Sequence, residues 1–353
     1  MIGRRERATE IARAAGADVL LAARPATVAW LSGFTTELDG GPSPFALSPL
    51  LVLRDAAPPL AVVSEDDAAA LQELGCEVVS YPGFTLAPLD PVGGARRALV
   101  AALAGDVAAT ETGWLPAALA EGLPLVDVTG DLAVARAVKD PDELEALRRA
   151  IAVCDAGQHA ARAHAHPGIS ELELWSRVRA AVEQAAGCRT PVVADLVSGA
   201  RTAEVGGAPG ERVLAEGDLV LCDLVPRVQG YWGDSCATFA IGESDDRTRA
   251  QHAAVREALT RGIEAVRPGL RAGELDALVR AGLDYPHHTG HGLGADWHEE
   301  PRIVPGAEIV LEPGMVVALE PGVYAEGRGV RCEQVAVVTD DGCEVLSGHE
   351  LEL

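Results

Sequence analysis

The chain has 353 residues, room for one large domain or two ordinary ones. It is 48% hydrophobic and 23% charged, which excludes a disordered chain. Its formal net charge of −24 argues against nucleic-acid or anionic-membrane partners, both of which need a basic patch.

No apolar run approaches the ~20 residues of a membrane span, and the N-terminal MIGRRERATE lacks the apolar core of a signal peptide. The seven cysteines are scattered and form no CxxC pair, so neither a zinc ribbon nor a disulfide framework is expected. A reducing cytoplasm fits best.

In chain order, the first ~130 residues alternate short apolar runs (Val19–Ala23, Leu50–Leu53, Leu60–Val63, Val78–Tyr81) with helical patterns such as Asp66–Gly75 and Gly94–Leu103. That alternation predicts a small α/β domain over residues 1–133. It contains no GxGxxG and no P-loop.

Residues 134–353 read differently. Asp140-Pro141-Asp142-Glu143 has the form of a helix start, with Leu144, Leu147, Ile151 and Cys154 following at helical spacing. Ser170 and Glu173 make a second capping box. A third helix is predicted from about Asp245 to Pro268-Gly269. The apolar runs Leu219–Val225, Thr238–Ile241, Val316–Leu319 and Val335–Thr339 predict strands. The expected fold class is α+β, helices on a mostly antiparallel sheet.

Carboxylates interrupt these strands. Asp223 sits inside LVLCDLV, Asp234 in WGDSC, Glu320 ends VVAL, and Glu333 just precedes VAVV. An ionised carboxylate in an apolar interior costs several kcal/mol, so each must be paired, hydrogen-bonded, protonated or metal-bound. Taken singly, each reads as a strand-end or salt-bridged residue. Together they outnumber their basic neighbours, Arg331 and Arg227, whereas two divalent cations would balance all four.

A histidine cluster supplies nitrogen. His287, His288, His291 and His298 fall within twelve residues, interleaved with Gly290, Gly292 and Gly294. The glycines argue against a helical HExxH site and for a strand or loop whose backbone approaches a ligand closely. Surface histidines on a loop are the plain alternative. Mostly oxygen donors plus one imidazole favour Mn²⁺ and permit Co²⁺, Fe²⁺ or Zn²⁺. Two such ions ~3.5–4 Å apart would share a bridging hydroxide and polarise a carbonyl.

These residues resemble the creatinase/prolidase/aminopeptidase P family of pita-bread metallopeptidases. Asp223 and Asp234, eleven apart in GDLVLCDLVPRVQGYWGDSCATF, are similar to the family's two-aspartate hairpin. HHTGHGLGADWHEEP resembles its histidine motif, and ALEPGVY and GVRCEQVAVVT its two glutamate motifs. ARAVKDPDELEALRRA resembles the opening of the catalytic domain, and RPATVAWLSGF a stretch of the N-terminal domain.

The resemblance implies a pita-bread catalytic domain behind a smaller creatinase-like N-terminal domain. It implies two divalent metal ions per chain, held by Asp223, Asp234, His291, Glu320 and Glu333, with Asp234 and Glu333 bridging both. Glu320 would also accept a proton from the attacking water. His298 would contact the substrate carbonyl and developing oxyanion, with His287 lining the pocket beside it. Arg331 would orient Glu333 or bind substrate, the alternative being a plain salt bridge.

The implied activity is that of an Xaa-Pro aminopeptidase or dipeptidase acting on a peptide or small molecule, usually as a homodimer. Two other readings are a creatinase-like hydrolase of a different C–N bond and a non-catalytic binding protein. Relatives of the latter kind have typically lost ligands, and all five positions are filled here.

Two departures stand out. Gly206 occupies the place of a family histidine that assists proton transfer or holds substrate, which touches Xaa-Pro specificity without removing the metal site. The family's Asp-x-Thr-Arg-Thr reads Asp234-Ser-Cys236-Ala-Thr238. Period-two alternation puts Cys236 on the face of Asp234, while Cys222 and Cys332 should point away. Core packing is the expectation for all three thiols.

Overall fold

The computed structural model describes residues 3–35, 43, 45–84, 86, 88–325 and 327–353. The chain divides into two compact units, Met1–Arg136 and Ala137–Leu353.

The first unit is built on a six-stranded mixed sheet. Its strands are β1 (Val19–Ala22), β2 (Leu50–Leu53), β3 (Leu60–Ser64), β4 (Glu77–Tyr81), β5 (Ala108–Thr110) and β6 (Leu125–Asp127), in spatial order β4-β3-β2-β1-β5-β6. β1 and β2 are fully buried along their length, which is why they read as unbroken apolar runs rather than alternating ones. RPATVAWLSGF forms the helix Pro25–Ser32, with proline at its first turn, Trp30 in the core and Gly33 closing it at φ 78°.

The second unit carries only antiparallel pairs among its described strands. One sheet joins β7 (Val192–Ser198), β8 (Leu219–Val228), the short β9 (Tyr231–Trp232) and β10 (Ser235–Ala240). A second runs β12-β11-β13-β16-β17, formed by β11 (Gly290–Gly292), β12 (Glu299–Ile303), β13 (Val316–Leu319), β16 (Gln334–Val338) and β17 (Cys343–Val345). The hairpin β14 (Gly322–Ala325) and β15 (Arg328–Arg331) completes the set.

Helices Pro141–His164 and Glu171–Ala186 pack through Ala161, Leu174 and Val178 onto Leu196, Cys222, Leu224 and Phe239 of the first sheet. Helices Asp246–Ala265 and Ala272–Arg280 pack through Val255, Leu259, Leu275 and Val279 in a core shared with Val317, Leu319 and Cys332.

The helix starts are those the side chains dictate. Glu143 accepts from the Asp140 N–H at 2.9 Å, Ser170 and Glu173 bond reciprocally, and the Thr248 N–H donates to Asp245 at 2.7 Å. Strands β7 and β12 and the helix Ala272–Arg280 go beyond the elements expected from sequence, while β11 takes the strand form of the strand or loop expected at the histidine cluster. Among the described residues, no helix is long and apolar enough to cross a membrane.

Candidate metal centre

Alternation along β8 decides which side chains face the site. Cys222 and Leu224 go into the helix-facing core, so Asp223 between them points to the opposite face. Cys236 on β10 lies directly opposite Asp223 and packs with Val197 and Leu221. Cys332 belongs to the other helix-facing core. All three thiols are thus buried packing groups.

The helix Pro141–His164 holds the aspartate hairpin from behind. Gln158 donates to the carbonyls of Cys222 (3.0 Å) and Ser235 (3.1 Å), and the Tyr231 hydroxyl donates to Glu143 at 3.0 Å. Thr238 bonds both the N–H and the carbonyl of Arg331, and the Glu333 N–H donates to the Cys236 carbonyl at 2.8 Å. The second glutamate is thereby tied to the strand carrying the second aspartate.

His291 sits at the centre of β11, between β12 and β13. A β-carbon on Gly290 would lie 2.0 Å from the Ala318 carbonyl, and one on Gly292 would lie 2.1 Å from that of Glu300. The flanking glycines therefore allow a strand approach that no other residue permits.

His291 Nδ1 is 2.9 Å from its acceptor, the Gly292 carbonyl, so the ring proton belongs there. Nε2 then presents its lone pair, 3.5 Å from Asp234 and 3.6 Å from Glu320. A lone pair facing two carboxylates is repulsive unless a cation or a shared proton lies between them.

Asp234, His291 and Glu333 place one ligand atom each within 4.8 Å of one another, and all three residues are buried. Glu333 Oε1 is buried with no hydrogen-bond partner among the described residues. Burial, then repulsion from Asp223 and Glu320, pushes the Asp234 carboxyl well above its usual range. Burial followed by Asp234, Glu320 and Asp223 does the same to Glu333.

Asp223 is pushed up to about 6 by burial even though Arg331 opposes it. Glu320 is only half-buried; desolvation would raise it, yet its hydrogen bond to His288, helped by Arg331, holds it down to about 2. An imidazole lone pair, an orphaned carboxylate oxygen and mutually repelling acids fit a pair of dications in donor type and in charge.

Arg331 reaches Asp223 at 2.5 Å, Asp195 at 3.5 Å and Glu320 at 3.8 Å, and donates to the Tyr324 hydroxyl at 3.0 Å. Its ion-pair partners among the described residues are thus Asp223, Asp195 and Glu320 rather than Glu333, the acid it was expected to orient, and the short contact to Asp223 is the plain salt bridge of the alternative. Arg227 instead places its guanidinium over the Trp232 ring at 5.7 Å.

His298 stacks on His291 with ring centroids 3.8 Å apart, at the exposed side of the cluster. His287 hydrogen-bonds to the Tyr324 hydroxyl at 3.0 Å, and His288 stands 5.2 Å from His298.

Three further residues join the site without an expected role. His288 bonds Glu320 at 2.7 Å, Tyr324 links His287 to Arg331, and Asp195 faces Arg331. Asp195 carried the same signal as Asp223, an acid in an apolar run, here VVADLVS. His288 and Tyr324 lie within recognised motifs, but no spacing singles them out.

Helices on antiparallel sheets surround carboxylates and an imidazole whose ligand atoms could hold a metal ion, the donor chemistry of hydrolytic metal sites. Residues 145–340 match metallopeptidase family M24, and residues 4–138 match the creatinase/prolidase N-terminal domain.

The chain is 34% identical over 333 residues to the probable dipeptidase PepE of Mycobacterium tuberculosis, spanning 85% of this chain and 84% of that one. The solved Xaa-Pro dipeptidase from Bacillus anthracis superposes with a TM-score of 0.85 at 26% identity, over 99% of both chains. The dipeptidase PepE from Mycobacterium ulcerans superposes with a TM-score of 0.80 at 30% identity, over 99% of this chain and 96% of that one. The chain belongs to metallopeptidase family M24, and its fold is the pita-bread domain behind a creatinase-type N-terminal domain.

Proposed function

We propose that the protein is a dinuclear metal-dependent peptidase cleaving a peptide bond near a free amino terminus, as an Xaa-Pro dipeptidase or aminopeptidase. The observation that carries this reading is that Asp234, His291 and Glu333 bring one ligand atom each within 4.8 Å of one another, His291 with its Nε2 bare and Glu333 with an oxygen unpartnered among the described residues. Asp223, Asp234, His291, Glu320 and Glu333 would hold the ions, with Mn²⁺ favoured by the oxygen-rich donor set. Bound metal supplies activation of a water nucleophile and polarisation of the scissile carbonyl.

The chain's own residues do the rest. Glu320, hydrogen-bonded to His288, takes the proton released during attack. His298, on the exposed side of His291, donates to the carbonyl oxygen as charge builds on it. His287 and Tyr324 form the wall leading to Arg331, which keeps Asp223 and Glu320 oriented.

A glycine at 206 favours one second reading, hydrolysis of another C–N bond in a small metabolite. The two separate in an assay of Xaa-Pro and non-prolyl peptides after Mn²⁺ or Co²⁺ loading, with Asp234→Ala as control and metal counted per chain. Peptide turnover that the control lacks, at two metals per chain, is the expected result. Two bound metals with no peptide cleaved would favour the small-metabolite reading. A homodimer is the expected assembly, and light scattering tests it.

A further inference from the structure

Gly206 leaves a space, and Asp195 fills it. A β-carbon on Gly206 would lie 2.0 Å from Asp195 Oδ2. Asp195 reaches that point from β7, directly opposite Asp223 on β8. The Gly207 N–H donates to its Oδ1 at 2.8 Å, and its Oδ2 lies 3.5 Å from Arg331 Nη2. The Asp195 side chain is 39% exposed, against 14% for Asp223 and 5% for Arg331. Within this group, Asp195 is the carboxylate that solvent, and hence a substrate, reaches.

The substitution changes what the position offers. An imidazole can donate, accept or carry positive charge, whereas a carboxylate only accepts. Arg331 already faces three acids, Asp223, Asp195 and Glu320. Two dications with Arg331 would just balance the five carboxylates Asp195, Asp223, Asp234, Glu320 and Glu333, leaving no positive charge over for an anionic group of a substrate. A half-exposed acceptor in such a site rewards a ligand that brings its own positive charge and N–H donors.

We infer that Asp195 is a specificity-determining residue that accepts a hydrogen bond from a cationic group of the substrate, in the space a side chain at position 206 would otherwise occupy. The inference rests on the peptidase reading above and narrows its substrate class. The cation is an ammonium or guanidinium, and it has two sources, the peptide's free amino terminus or a basic side chain beside the scissile bond.

The test compares metal-loaded wild type with Asp195→Asn, which keeps the shape and the acceptor for the Gly207 N–H but removes the charge. Lysyl against norleucyl peptides probe the side-chain source; free against N-acetylated peptides probe the amino terminus. In one pair the wild type should prefer the cationic member about tenfold in kcat/KM, mainly through KM, the size of one charge-assisted hydrogen bond. In Asp195→Asn that ratio should fall below about twofold. The pair that collapses identifies the source.

Calorimetry with norleucinamide, N-acetyl-lysinamide and N-acetyl-norleucinamide reads the same preference as binding alone. It decides the inference even if no peptide is turned over, an outcome that would sink the peptidase reading instead. The double variant Asp195→Ala/Gly206→His, which trades the carboxylate at 195 for an imidazole at 206, should lose the preference as well. Ratios unchanged in both pairs, equal loss across all substrates, or loss of bound metal in Asp195→Asn would each overturn the inference.

Discussion

His291 shows how one residue's surroundings set its chemistry. Its Nδ1 proton is committed to the Gly292 carbonyl, which leaves Nε2 bare against two carboxylates. Replacing His291 or Glu333 with alanine should therefore remove metal and turnover together, read by metal analysis beside kcat. His298 lies outside the buried triad of Asp234, His291 and Glu333, although a ring nitrogen of His298 also comes within 4.8 Å of those of His288 and His291. His298→Ala should keep its metal and lose about 10²–10³-fold in kcat, the scale of one oxyanion donor. Full kcat in that variant would end the carbonyl-contact role.

At the scale of elements, the site depends on side chains that never touch substrate. Lys139 and Glu299 form an ion pair at 2.6 Å, each side chain 1% exposed. Glu299 adjoins His298 and also accepts from the Asp296 N–H at 3.1 Å, so the pair pins the loop that presents His298 to the start of the catalytic unit. Lys139→Met strands a buried carboxylate and should cost about 3–5 kcal/mol in urea unfolding. Lys139→Met/Glu299→Leu should recover much of that loss, because it removes both charges. If the single and double variants were equally stable, the pair would not be what holds the loop.

For the whole molecule, metal and protons both bear on stability. Ions that bind only the folded chain should add about 2.7 kcal/mol at a hundredfold excess over Kd, seen as a concentration-dependent rise in Tm. His252 gives an acid limb. Burial, helped by Arg256 and Arg162, lowers it from the ordinary 6.5 to about 4. The unfolded chain takes that proton near pH 6.5 and the folded chain only near 4. The contribution is thus complete above about 6.5, is lost as pH falls through this window, and is flat below it. Denaturation curves from pH 7 to 4 should show a shallower decline in His252→Gln than in wild type. Parallel declines would assign the acid limb to other groups.

The sequence alone determined what depends on local pattern. Capping side chains set the helix starts at Asp140, Ser170 and Asp245. Buried apolar runs set β1, β2, β8 and β13, and period-two alternation set which of Asp223 and Cys222 meets the site. Acids embedded in apolar strands singled out Asp223, Asp234, Glu320 and Glu333, because burial without a counter-charge is costly, and the family resemblance added His291 to them as an expected ligand. Tertiary structure decided what depends on contact across distant segments. β11 is three residues long and glycine-rich, a pattern that left strand and loop open, and the two neighbouring strands that close on it decided for a strand. The tie from His288 to Glu320 and the reach of Asp195 across Gly206 span 32 and 11 residues of chain. No local period encodes such contacts; they arise only when packed sheets bring those side chains to one place.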